Sequence, residues 1–228
     1  MTTPSSGPIS ISQINAEFGL GNNLGAYKGI KYYTPTNRRG YFASGSNAYL
    51  NASDFYNIRS TSPVTPSSTP WVRSSNGTYT FTVPMFNILT VTVVGARGGQ
   101  AGSNGYYFNG DDSGKVANYG TSGGPGGKSS FGIYASASGG PGGVTSGAGG
   151  TFGDSKTIVL NVDNNSEYFN LYNTNISAVV GNGGGHGTGG LNKLWVDATL
   201  TSNGYYKDWY KSSDNSDGSD GSVTISWT

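Results

Sequence analysis

Hydrophobic positions follow a period of two in several short stretches after residue 70. In "GTYTFTVP" Tyr79, Phe81 and Val83 alternate with threonines, and "ILTVTVVG" (88–95) repeats the pattern beyond Pro84. Further strand patterns are "TIVLNV" (157–162), "ISAVV" (176–180), "LWVDATL" (194–200) and "SVTISW" (222–227). Six or so strands without a helical period predict an antiparallel, mainly β unit of sandwich type. The ending "SVTISWT" is expected to close the sheet against the first strand, the one around Phe81.

The amino-terminal stretch reads differently. Ser10 followed by Gln13 forms a capping-box pair, Ile9 and Ile14 fall at staple positions, and Gly19 follows Phe18 as a helix stop, which predicts a short helix over Ile11–Phe18. After it come "LGAYKGIKYY", "RRGYFASG" and "NAYLNASDFY", short aromatic pieces punctuated by Gly, Asn and Pro. Residues 1–59 are therefore expected to form a small α+β module whose modest core leans on a partner. "STSPVTPSSTP" (60–70) has no charge and three prolines, and reads as an extended linker. Residues 71–228 form the β domain.

Composition changes the picture in one respect. Of 228 residues 39 are glycine, and charged residues make up only 11%. Residues 95–150 hold 20 glycines, including "GGPGG" twice, and residues 181–190 hold seven. Aromatic and aliphatic residues are spaced through these stretches, which argues for order. One ordered solution is a set of polyproline-II-like glycine helices packed side by side, bonding to one another because such helices have no internal hydrogen bonds. The strict Gly-X-Y period of collagen is absent.

Charge and cysteine content exclude more than they suggest. The formal net charge is +1 and no basic run exceeds Arg38-Arg39, so neither nucleic acid nor an anionic membrane is an expected partner. Without cysteine there is no disulfide or thiolate metal site. "MTTPSSGPIS" has neither a basic nor an apolar region of a secretory signal, and no apolar run is long enough to span a bilayer.

Glycine loops that resemble nucleotide sites fail on inspection. Gly185, Gly187 and Gly190 keep G-x-G-x-x-G spacing, but a strand-like stretch follows where the phosphate-binding helix belongs. "SGGPGGKSS" has Ser122 where a phosphate loop needs its first glycine, leaving Lys128 a solvated loop residue. His186 is the only histidine, so multi-histidine metal sites and His-based triads have no second member. Asp214, Asp217 and Asp220, like Asp111 and Asp112, lack the order of a calcium loop and read as solvated turns. The expectation is a non-enzymatic protein with no cofactor and no metal.

Aromatic loops are the positive signal. "NGYYFNGDD" carries Tyr106, Tyr107 and Phe108; "NGYYKDWYKSSD" carries Tyr205, Tyr206, Trp209 and Tyr210. Tyr and Trp between turn formers give stiff contact area with a polar handle, the composition of binding loops. The same rings could instead cover glycine backbone, and the sequence leaves both readings open.

The pattern "GTYTFTV…TVTVVGARGGQAG…GGPGG…AVVGNGGGHGTGG…GSVTISW", over 76–228, resembles the glycine-rich domains at the carboxyl ends of bacteriophage tail-fibre and adhesin proteins. It is similar too to the distal-tip adhesins of T-even-type phages, in which a polyglycine-II sandwich carries receptor-binding loops. This chain has fewer and shorter glycine runs than those adhesins. The first module, "ISISQINAEFG…LGAYKG…NRRGYF…NASDFY", resembles a short segment recurring in tailed-phage structural proteins. The resemblance implies a virion protein made in the host cytoplasm, present in several copies, that attaches to other virion proteins through its first module. Candidate anchoring residues are Ile11, Ile14, Phe18, Arg38, Arg39, Phe55 and Tyr56. The aromatic loops would meet a host-surface receptor, either a glycan or an outer-membrane protein. The alternative is a capsid decoration or a tail or baseplate accessory protein with a purely structural role.

Overall fold

The computed structural model describes residues 2–102, 105–108, 115–118, 120–144, 148–187, 191–193, 209–211 and 216–228, with the backbone alone in 105–108, 115–118, 191–193 and 209–211. Helix α1 spans Ile11–Phe18. The Ser10 hydroxyl accepts the Gln13 N–H, and the Gln13 side chain accepts the Ser10 N–H at 2.7 Å. Gly19 stops the helix at φ 72° and donates its N–H to Asn15. A two-stranded ribbon follows, β1 (Lys31–Tyr33) and β2 (Arg39–Tyr41). Ile14, Tyr27, Phe42, Phe55 and Ile58 form a separate small core, with the Phe18 ring edge-on to Tyr27 and Phe55.

The partner on which this module leans is the rest of the same chain. At the turn between β1 and β2, buried Asn37 donates its side-chain amide to the Phe86 carbonyl at 3.0 Å. Arg39 forms an ion pair with Asp163, and Arg38 donates to the Asn170 side chain at 3.1 Å. The stretch 60–70, read as an extended linker, is pinned to its surroundings. Ser62 donates to Asn37, the Ser67 N–H donates to the Trp227 carbonyl at 2.9 Å, and the Trp227 indole donates to the Thr65 carbonyl. Its prolines keep it extended, and the last strand supplies an edge along which an extended chain can bond.

The remainder is mainly β and antiparallel. Its strands are β3 (Trp71–Arg73), β4 (Gly77–Thr82), β5 (Ile88–Val94), β6 (Gly105–Phe108), β7 (Lys115–Asn118), β8 (Ser129–Phe131), β9 (Ala135–Ala137), β10 (Ser155–Asn161), β11 (Asn175–Val180), β12 (Leu191–Lys193), β13 (Trp209–Lys211) and β14 (Ser222–Trp227). One four-stranded sheet runs β10-β5-β14-β3 and a second runs β4-β11-β8-β9. Alternation assigns one face of each to a common core. Leu89, Val91, Val93, Leu160, Val223 and Ile225 come from the first sheet; Phe81, Phe131, Ala135, Ile176, Ala178 and Val180 come from the second. Each fully buried Val, Leu, Ile or Phe contributes about 1.5–3 kcal/mol by leaving water.

The carboxyl-terminal strand differs from expectation. β14 lies between β5 and β3, not beside β4. β4 pairs with β11 in the opposite sheet, where Phe81 faces inward. The edge of β14 is taken by the three-residue β3, too short to register as a strand pattern in the sequence. The stretch 194–200 lies outside the described residues.

Six strands leave the sheets directly into glycine-rich segments: 95–102 after β5, 121–128 before β8, 138–144 after β9, 148–154 before β10, 181–187 after β11 and 216–221 before β14. These segments bond to one another with a period of three. The N–H groups of Gly95, Gly98 and Ala101 go to Asp154, Thr151 and Ala148; those of Ala96, Gly99 and Gly102 go to Gly127, Gly124 and Thr121; those of Arg97 and Gln100 go to Ser219 and Ser216. In return Ala96 and Gly99 carbonyls accept from Gly140 and Gly143, and Arg97 and Gln100 carbonyls accept from Gly184 and Gly187. Segment 95–102 is thus a central column bonded to the other five.

That geometry states why glycine recurs at every third position facing the column. A Cβ on Gly184 would collide with the Gly124 carbonyl, and one on Gly140 with that of Thr151. On Gly185, which faces outward, a Cβ meets nothing within 4 Å. Proline fits by the same rule. In 121–128 the N–H groups of 123 and 126 go to one neighbour and those of 124 and 127 to another, so Pro125 occupies the class that needs no donor.

Candidate functional site

The sheets place their glycine extensions parallel and antiparallel to one another, so all the connections between them gather at the end away from the sheets. There β6 pairs with β7, and β12 pairs with β13. β12 also lies against β6. Tyr106, Tyr107 and Phe108 of β6 and Trp209 and Tyr210 of β13 therefore belong to neighbouring ribbons, although about a hundred residues separate them in sequence. Tyr205 and Tyr206 lie outside the described residues. We call this end the apex and the opposite end, where Asn37, Arg38 and Arg39 dock on Phe86, Asp163 and Asn170, the base.

The candidate anchoring residues are placed at the base, mostly in internal roles. Ile14 and Phe55 are buried, and Ile11 and Phe18 pack on them. Tyr56 donates its hydroxyl to the Gly7 carbonyl. Arg38 and Arg39 face the second module. What the first module offers outward is Tyr41 and Tyr49, 66% and 87% exposed, on either side of a shallow hollow that Leu50 also lines. No motif marks them.

The residues examined for metal or nucleotide chemistry have backbone roles. Asp220 accepts the N–H groups of Gly183 and Asn76, and Asp217 accepts the N–H of His186 at 2.7 Å. Residues 183 and 186 are the N–H class of segment 181–187 that has no glycine segment beside it, so carboxylates spaced by three on 216–221 satisfy it. The His186 ring also bonds Asp217 at 2.7 Å through Nδ1. The two hydrogen bonds from His186, backbone first, hold the Asp217 carboxyl below the usual carboxylate range. Among the described residues no cluster of His, Cys, Asp and Glu could hold a metal ion. Asp111, Asp112 and Asp214 lie outside the described residues, as does Gly190. Lys128 is exposed, and the next described residues after Gly187, 191–193, form strand β12.

One cleft escaped the sequence reading. Arg97 and Gln100, three residues apart on the central column, border an opening of about 190 Å³ with Gly98, Gly149, Gly150, Ser216 and Asp217. The Arg97 Nε donates to the Gly150 carbonyl at 3.0 Å and its guanidinium lies 4.8 Å from the Phe152 ring centroid. The legible signal was the interruption of "GARGGQAG" by two polar side chains at the bundle's own period.

Among the described residues no helix is long and apolar enough to cross a membrane. No family model, curated protein or solved structure matches the chain.

Proposed function

We propose that this chain is a bacteriophage virion structural protein, a tail fibre or fibre-tip adhesin that displays its aromatic loops to a host-cell-surface receptor. In this reading residues 71–228 form a β-sandwich whose strands continue as a polyglycine-II bundle, and residues 1–59 attach to other virion proteins. A polyproline-II-like rise of about 3.1 Å per residue carries the loops about 20 Å beyond the sheets. The single observation that supports the reading most is the molecule's polarity. The small module docks at the base, and the aromatic ribbons, including Trp209 and Tyr210, cluster at the apex. Recognition needs no covalent step and gains strength from several copies per particle.

Antibody-gold raised against 71–228 and imaged on intact virions tests the placement. Gold at fibre tips supports the adhesin. Gold spread over the capsid or tail wall favours the purely structural alternative.

A further inference from the structure

The hydrogen bonds around the central column define a position that none of the described segments fills. Going round 95–102, the neighbours are 148–154, 138–144, 121–128, 181–187 and 216–221. They alternate strictly between those that take its N–H groups and those that give to its carbonyls. The sixth side lies between 216–221 and 148–154, which do not bond to each other. Alternation requires a donor there, serving the carbonyls of the third class. Gly98 belongs to that class, is buried, and its carbonyl accepts no hydrogen bond from any described residue. A buried acceptor left without a donor is a departure that calls for an explanation.

The opening at this side is the cleft bordered by Arg97. Its Nε is held by Gly150, while both Nη groups are without a partner among the described residues. Asp217, which also lines the opening, has Oδ1 engaged by His186, and its Oδ2 has no hydrogen-bond partner among the described residues. The walls therefore present donors, a neutral acceptor and an anionic acceptor within one small volume. A phosphate or carboxylate cannot donate to Gly98 and would face Asp217. A cation would face Arg97. An extended peptide strand, the occupant the bundle itself suggests, is obstructed because the Arg97 side chain crosses the position to reach Gly150. Hydroxyl groups both donate and accept, and several on one rigid ring match this mixture. We propose that the cleft between 148–154 and 216–221 binds one neutral saccharide unit, with ring hydroxyls donating to the Gly98 carbonyl and Asp217 and accepting from the Arg97 Nη groups.

This site lies on the flank of the bundle, apart from the apical aromatic ribbons, and stands whether or not those bind a receptor. The experiment is a titration of the full ¹⁵N-labelled chain, in separate samples, with glucose, galactose, N-acetylglucosamine, inorganic phosphate and triglycine. Backbone amides of 97–100, 149–150 and 216–217 and the Arg97 Nε–H are followed. The expected result is saturable shifts at these groups with at least one sugar, with a dissociation constant of about 1 mM or below. Arg97→Met should weaken it about tenfold or more. If Arg97→Met disturbs folding, Gly149→Leu is the second variant: its position is exposed, a Cβ there first meets Arg97 Nη2 at 3.1 Å, and its side chain should fill the cleft. Shifts with phosphate or triglycine but no sugar would overturn the proposal, as would sugar shifts untouched by Gly149→Leu or no shift with any probe.

Discussion

The same six strands are held together in two ways along their length. In the sheets, Leu89, Val91, Ile225 and their neighbours meet side chain to side chain across two layers. A few residues further on, in 95–102 and the five segments around it, the chains meet backbone to backbone, because glycine has removed what would hold them apart. The first half depends on the hydrophobic effect, which tolerates exchange of one apolar residue for another of similar volume. The second depends on hydrogen bonds and contact distance, and has no room for a Cβ at positions such as Gly140 and Gly184. In exchange, an outward position such as Gly185 has open space for a side chain. A scaffold of this kind can carry changing loops without redesigning a core.

The largest expected effects come from one substitution in each half. Leu89→Ala should cost about 2–5 kcal/mol through the cavity it leaves. Gly184→Ala, which forces backbone apart in the middle of the bundle, should cost about 3 kcal/mol or more. The neighbouring Gly185→Ala should change stability by less than about 0.5 kcal/mol, since its Cβ enters open space. Thermal melts of the three variants check this. Equal costs at 184 and 185 would break the distinction between inward and outward positions.

Amide exchange should show the same period without any mutation. The N–H groups of Gly140, Gly143, Gly184 and Gly187 are bonded to the central column and should exchange as slowly as those of β5, while those of Gly139, Gly142 and Gly185 exchange quickly. Uniformly fast exchange through 138–144 and 181–187 would leave the sheets as the only ordered half.

Much of this was legible in the sequence. The alternation of β4, β5, β10, β11 and β14 marked the strands, and Ser10, Gln13 and Gly19 set both ends of α1, because both signals are local. The strand order was not legible. Where β14 pairs depends on β3, whose three residues carry too little pattern. The glycine runs suggested packed glycine helices, yet not which residue meets which, since that register comes from where six distant strands enter the bundle. Arg38 and Arg39 were candidate anchoring residues; only the fold brings Asn170 and Asp163 to them. The aromatic stretches 106–108 and 205–210 look alike in sequence, and the gathering of 106–108 and 209–210 at one end follows from the direction of six segments.

A smaller effect concerns the base. Arg39→Ala removes the ion pair to Asp163 and a bond to Asn87, and should loosen the docking of the first module by about 1–3 kcal/mol. Faster protease cleavage within 60–70, with the melting of 71–228 unchanged, is the expected readout. The smallest effect belongs to Asp217. Because its carboxyl is held below the usual range when folded, its contribution is complete above the ordinary carboxylate value and is lost as pH falls through the lowered one. Asp217→Asn should therefore melt earlier than the parent at neutral pH, and the gap should close in acid. A gap that widens in acid would reverse the assigned cause.

The central claim is that the apical aromatic residues carry cell binding. It is tested most directly by replacing Tyr106, Tyr107, Phe108, Tyr205, Tyr206, Trp209 and Tyr210 with serine and measuring binding of the purified chain to cells of a candidate bacterial host under the proposed function. The account expects cell binding to be lost while the melting temperature and the exchange pattern of the glycine segments stay as they were. Undiminished binding by a folded variant would contradict it.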